Sequence, residues 1–151
     1  MRTLDLRARG LILPGMRYAV LLAFLAAPAF AACPAPEDTS REMLNLIARA
    51  NDTDNRNEGR RLSNAMWEVW LRAPDEGAQA ARDAGLQRRE AYDFAGALKE
   101  FDRLAAYCPL YAEGFNQRAF IRFLQEDYEK ALVDLDVAIK LSPYHVAAQA
   151  G

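Results

Sequence analysis

Apolar and polar positions repeat along this chain with a period of 34 residues. The stretch YDFAGALKEFDRLAAYCP at 92–109 and the stretch EDYEKALVDLDVAIKLSP at 126–143 match small residues to small and large apolar residues to large. Aligning 78–111 with 112–145 without a gap gives seven identities: Ala78/Ala112, Arg88/Arg122, Asp93/Asp127, Ala97/Ala131, Leu98/Leu132, Asp102/Asp136 and Pro109/Pro143. A period of this length is typical of a fold that repeats and stacks one structural unit.

Each 34-residue unit predicts an α-hairpin. Apolar residues recur at helical spacing up to a turn, and Asp93 or Asp127 then follows as a suitable N-cap for a second helix. Pro109 and Pro143 end the second helices, because proline cannot donate into a continuing helix and restricts the residue before it. The pattern therefore predicts an all-α fold of stacked antiparallel hairpins.

The spacing of small and large residues within the units resembles the tetratricopeptide repeat. That pattern has a small residue, an Ala twelve positions later, a large apolar residue four beyond it and a Pro eight further on. The matching residues are Gly85, Ala97, Phe101 and Pro109 in the unit at 78–111, and Ala119, Ala131, Leu135 and Pro143 in the unit at 112–145. The resemblance implies a superhelical solenoid that binds other proteins.

Residues 38–74 predict a third, degenerate hairpin that acts as an N-terminal cap. Thr39 with Glu42 and Asn55 with Glu58 offer two capping boxes before apolar-periodic runs. The chain then has about three hairpins, and residues 32–37 form a linker before them. Residues 146–151 begin the first helix of a further unit. Either the chain is a fragment, or this uncapped end meets a partner or a second copy.

The first 31 residues have the layout of a signal peptide. Four Arg residues precede the apolar run YAVLLAFLAAPAFA at 18–31, which closes on small residues that favour cleavage after Ala31. A membrane anchor is disfavoured, because the unbroken run is shorter than the ~20 residues that span a bilayer. Met16 is an alternative start. The pattern predicts an exported bacterial protein, periplasmic or secreted.

Two cysteines, Cys33 and Cys108, remain after such cleavage. In an oxidising compartment an even count favours a disulfide between them over two free thiols. In a third interpretation FAAC is a loose lipobox, and Cys33 is the lipid-modified first residue of a lipoprotein on the envelope membrane. A lipidated Cys33 could not form the disulfide, so the two hypotheses exclude each other.

Charge and motifs exclude several function classes. Removing residues 1–32 leaves 15 basic and 20 acidic residues, a formal charge of −5 without a basic cluster, which argues against nucleic acid as a partner. No glycine loop, nucleophile motif or metal-ligand spacing appears, and His145 stands alone. We therefore assign no catalytic residue, metal or cofactor. Arg118 and Arg122 are expected to pair with carboxylates such as Asp134.

The resemblance to tetratricopeptide repeats implies a groove lined by the first helices of the units. Its candidate protein-binding residues in this sequence are Arg82, Leu86, Arg89, Asn116, Phe120 and Phe123. The expected partner is another protein or a peptide segment, and a homo-oligomer could form through the C-terminal face. The alternatives are a lipid-anchored component of an envelope or outer-membrane assembly machine, which needs Cys33 acylated, and an enzyme.

Overall fold

This computed structural model describes residues 32–151 of the chain. This part of the chain contains seven α-helices and no strand. The predicted signal peptide lies outside the described residues. The helices are α1 (Ser40–Asn51), α2 (Arg56–Trp70), α3 (Glu76–Glu90), α4 (Phe94–Tyr107), α5 (Ala112–Leu124), α6 (Tyr128–Leu141) and α7 (Val146–Ala150). Helices α3–α4 and α5–α6 are the two hairpins predicted from the 34-residue repeat, and α5 packs on α4 to stack one hairpin on the other.

Close contact between α3 and α4 depends on a glycine beneath an aromatic ring. Phe101, on α4, is fully buried, and a Cβ built on Gly85 of α3 would lie 2.5 Å from its ring. Ala97, one turn before Phe101, is also fully buried. The predicted seam of small residues facing a large one is therefore present, and Ile121 of α5 closes the cluster from the next hairpin.

Both hairpins turn between their helices in the same way. Tyr92 and Glu126, one repeat apart, adopt left-handed backbone conformations with φ of 60° and 62°. After α3, the Asp93 N–H donates to the Arg88 carbonyl and the Tyr92 N–H donates to the Arg89 carbonyl. These two bonds form a Schellman motif, which satisfies the last carbonyls of the helix. The same pair of bonds recurs after α5.

The N-caps predicted for the second helices differ in detail. The Asp93 carboxylate accepts a hydrogen bond from the Gly96 N–H, as an N-cap should, and this bond holds the pKa of Asp93 below its ordinary value. Asp127 occupies the N-cap position of α6, but its side chain makes no cap bond and instead binds the Lys130 ammonium. The sequence predicted both helix starts correctly, but the predicted side-chain capping bond forms only at Asp93.

The hairpin of α1 and α2 has its own apolar core, built from Met43, Leu46, Leu62, Met66, Val69 and Trp70. Asn55 caps α2 by accepting from two backbone N–H groups, as predicted. The capping box predicted at Thr39 is wrong. Asp38 accepts the Ser40 N–H in its place, and Glu42 reaches Arg72 across the hairpin.

The end of α2 attaches this hairpin to the repeats. The Trp70 ring stacks on His145, with centroids 4.5 Å apart, and the Trp70 carbonyl accepts a hydrogen bond from the Tyr111 hydroxyl at 3.1 Å. Arg82, on α3, donates to the Leu71 carbonyl.

None of the helices between residues 32 and 151 is long and apolar enough to cross a bilayer.

Replacing Gly85 by Ala should destabilise the fold by about 1–3 kcal/mol, because the added methyl group forces the buried Phe101 ring to move. The matched control is Gly59→Ala in α2, where nothing lies within 4 Å of the new Cβ. That change should stabilise by about 0.5–1 kcal/mol, since glycine is a poor helix former. Urea unfolding of both variants tests the seam, and equal effects would contradict it.

Replacing Glu126 by Gly should raise the melting temperature. A left-handed residue with a Cβ costs roughly 1–2 kcal/mol, more than the ~0.4–1 kcal/mol lost when glycine loosens the unfolded chain. Gln125→Gly is the control, because Gln125 has φ of −93° and gains nothing from glycine. Differential scanning calorimetry should show opposite shifts, and a lower melting temperature for both variants would refute the assigned turn.

Candidate protein-binding cleft

An apolar cleft of about 410 Å³ opens between α5, α6 and α7. Its floor is made of small residues, and its rim carries large apolar side chains that are substantially exposed, with Phe123 at 54% and Leu132 at 60%. The lining residues are Asn116, Ala119, Phe120, Phe123, Tyr128, Ala131, Leu132, Leu135, Ala147, Ala150 and Gly151. Such a concave apolar surface with few polar groups suits a protein segment.

The groove residues predicted from the sequence separate into two groups. Asn116, Phe120 and Phe123 lie together in the cleft. Arg89 lies beside them, since its guanidinium carbon is 5.6 Å from the centre of the Phe120 ring and its side chain donates to Gln117 at 2.9 Å. The structure thus brings four of the six candidates into one neighbourhood.

The remaining two candidates, Arg82 and Leu86, face elsewhere. Leu86 packs against the core cluster around Phe101. Arg82 is nine-tenths buried, and it donates to the Leu71 carbonyl and to Asp83. Neither residue lines the cleft, because α5 and the end of α2 occupy the surface that these side chains would otherwise present.

The two arginines of α5 pair with a buried carboxylate, as the sequence predicted. Asp134 is 1% exposed and accepts from Arg118 at 2.6 Å and from Arg122 at 2.7 Å. Arg118 also reaches Asp102 of the preceding hairpin at 3.0 Å. The hydrogen bonds that Arg118 donates to Asp134 raise the pKa of Arg118 above its ordinary value. This network fixes α5 between α4 and α6 and leaves neither guanidinium available for a phosphate.

A second cavity, of about 370 Å³, lies where the N-terminal segment and α2 meet the start of α5. Its wall includes two fully buried titratable side chains, Glu113 and His145, whose Oε2 and Nε2 atoms are 2.8 Å apart. The Nδ1 atom of His145 accepts the Ala148 N–H, which caps α7. The neutral imidazole therefore carries its proton on Nε2 and donates it to Glu113.

The sequence did not reveal the structural role of Glu113 and His145. The Glu113 carboxylate accepts from Asn116 and Gln117 on its own helix as well as from His145, so all of its hydrogen bonds are internal. His145 is held between this carboxylate and the Trp70 ring. These partners are 32 and 75 positions away in the chain, and no local motif signals them.

The structure pairs Cys33 with Cys108 in a disulfide. Their Cα atoms are 5.2 Å apart, and the two residues are 75 positions apart in the sequence. The even cysteine count predicted this pairing. Cys108 is the C-cap residue of α4 and is 1% exposed. Asp75 lies close to both sulfur atoms, making a potential three-ligand metal cluster within the described residues, but the two sulfur atoms are bonded to each other. The Asp75 carboxylate binds the Ala78 N–H and the Tyr107 hydroxyl.

Two curated relatives carry the repeat by name. The chain is 44% identical over 66 residues to the tetratricopeptide repeat protein 36 homolog of Nematostella vectensis. The matched stretch covers 44% of this chain and 36% of the relative. It is 37% identical over 75 residues to human tetratricopeptide repeat protein 36, covering 50% of this chain and 40% of the relative. The chain is similar to tetratricopeptide repeat proteins over these matched residues.

The likeness to these relatives is partial. The chain spans well under half the length of each of them. No protein-family model matches it, and no solved structure does. The chain thus combines all-helical hairpins, a disulfide and a likeness to named repeat proteins.

Proposed function

We propose that this tetratricopeptide repeat protein is a non-enzymatic interaction module that binds another protein through the cleft between α5, α6 and α7. The observation that carries the proposal is the clustering of exposed aromatic and aliphatic side chains around that cleft, led by Phe120, Phe123, Tyr128 and Leu132. Exposed apolar surface of this kind is costly to leave in water and commonly marks an interaction site.

The polar groups near the cleft support binding rather than catalysis. The Tyr128 hydroxyl and the Asn116 amide are the polar side-chain groups in its lining, and the Asn116 amide donates to Glu113 inside the protein. An active site needs acid, base or nucleophilic groups within reach of a substrate atom. The cleft offers shape and apolar area, which are the features that a peptide or helix needs.

We further propose that the protein works in the bacterial periplasm or outside the cell. The arginine-flanked apolar run at 1–31 and the Cys33–Cys108 disulfide support this location, because disulfides persist in oxidising compartments. The lipid-anchored alternative requires the Cys33 sulfur that the disulfide uses. The disulfide therefore favours the soluble form as the starting hypothesis.

Intact mass of the protein recovered from the envelope of a Gram-negative host tests the location and the thiol state together. We expect a chain that starts at Ala32 and is alkylated only after reduction. A chain that starts at Cys33 with added acyl mass would overturn the soluble assignment. A full-length chain with two alkylatable thiols would overturn export itself.

Changing Phe120 and Phe123 to Ala should remove partner binding at the cleft without unfolding the protein, because both rings are about half exposed. Peptides selected by phage display on the native protein supply the probes. Their affinity should fall by at least tenfold for the double variant, as expected when aromatic anchors are truncated. Val133→Ala is the control, since Val133 is 62% exposed but does not line the cleft. Equal binding by all three proteins would place the site elsewhere.

A further inference from the structure

The α3–α4 hairpin has an apolar face, and the helix that covers it shows what kind of element binds to a face of this type. Helix α5 packs on the α3–α4 hairpin, and its Ile121 is fully buried in the cluster that contains Ala97 and Phe101. One turn earlier on α5, Arg118 donates to Asp102 of α4 at 3.0 Å. A basic residue followed three positions later by a large aliphatic residue therefore anchors a helix to this surface.

The second hairpin presents the same surface 34 residues later, and none of the described residues fills its anchoring points. Ala131 and Leu135 stand where the first hairpin has Ala97 and Phe101, and Asp136 stands where it has Asp102. Asp136 is exposed and forms no ion pair with any residue from 32 to 151, whereas Asp102 binds Arg118. The carboxylate and the apolar cleft are together the counterpart of the site that α5 occupies one repeat earlier.

We propose that the cleft binds an amphipathic α-helix of a partner protein, with a basic residue for Asp136 and, three positions later, a large aliphatic residue for the pocket floored by Ala131. This inference deepens the proposed function, on which it rests. The partner helix runs parallel to α5 and continues the line of α7, so that it covers Phe120, Phe123 and Leu132.

A helix fits this cleft better than an extended peptide for a reason of hydrogen bonding. The lining offers hydrogen-bonding side chains at two positions, Tyr128 and Asn116, and the Asn116 amide already donates to Glu113. An extended segment would bury more backbone N–H and C=O groups than these two side chains can satisfy, and each unsatisfied group costs free energy. A helix satisfies its backbone internally, and the small residues of the floor, Ala119 and Ala131, let it approach closely.

A second copy of this chain is a poorer occupant than a partner helix. Among the described residues, α5 is the helix that anchors to a neighbouring hairpin through this basic and aliphatic pair, and its Ile121 is buried within the fold. A second copy cannot offer that residue without unfolding. The partner is therefore expected to supply its own helix.

The test uses a stapled peptide with the sequence of residues 118–126, RAFIRFLQE, carrying a fluorophore and a staple on the face away from Arg118 and Ile121. Fluorescence anisotropy against the full, disulfide-bonded chain should show saturable binding. Ile121→Ala in the peptide should weaken binding about tenfold, as for an apolar anchor. Arg118→Glu in the peptide should weaken it about threefold to fivefold, as for an exposed ion pair. Asp136→Lys in the protein should restore that loss.

The protein variants Leu132→Glu and Val133→Glu are matched, because these neighbours on α6 are 60% and 62% exposed but Leu132 alone lines the cleft. Leu132→Glu should abolish peptide binding, and Val133→Glu should leave it unchanged. Equal effects would overturn the proposed site, and failure of the charge swap to restore binding would overturn the assignment of Asp136.

Two further outcomes separate this inference from the function on which it rests. If the stapled peptide does not bind while displayed peptides bind through Phe120 and Phe123, the cleft is an interaction site for another kind of segment, and the helix proposal fails alone. If neither binds, both fail. A dimer that Leu132→Glu dissociates, measured by sedimentation velocity, would make a second copy the occupant and would also overturn the partner helix.

Discussion

Burial of Phe101 between two hairpins is the interaction on which the rest of this structure depends. A single α-hairpin cannot remove its apolar face from water, so α3 and α4 close on one another only where Gly85 and Ala97 leave room for the ring. Ile121 of the next hairpin then completes the enclosure. Folding of one repeat therefore requires the start of the next one, which is the physical reason that repeat proteins are stable only as stacks.

Ion pairs fix the orientation of the second repeat hairpin on the first, within the range that the apolar contacts allow. Asp134 is buried and would be expensive alone, but two guanidinium groups of α5 surround it, and one of them also binds Asp102 on the preceding hairpin. Apolar side chains tolerate small rotations of one hairpin against another, whereas this bidentate pair permits one geometry. The network links three helices through a single arginine, Arg118.

Sequence patterns predicted the features that depend on residues close together in the chain and missed those that depend on contacts between distant residues. Gly85, Phe101 and Pro109 indicate hairpins by their fixed spacing, and Asp93 caps α4 through the N–H of Gly96, only three residues away. The Asp127 cap failed, because Lys130 competes for the same carboxylate. The contact of His145 with Glu113 and Trp70 joins residues 32 and 75 positions apart, and no pattern within one repeat encodes it. For the same reason Arg82 and Leu86 were included in a groove whose surface other elements cover.

The faces of the two hairpins are equivalent in shape but not in chemistry, and the difference decides what the open one can bind. The first face has Arg89, which donates to Gln117 of the helix that covers it, and the second has Phe123 at the corresponding position. Leu86 is likewise replaced by Phe120. Gln117 itself corresponds to Gly151, which lines the cleft and has no side chain to offer. An occupant that continues the line of α7 therefore meets two aromatic rings where α5 meets Arg89 and Leu86, while the basic residue for Asp136 is retained. Selectivity between the internal helix and a partner helix thus rests on these two replacements.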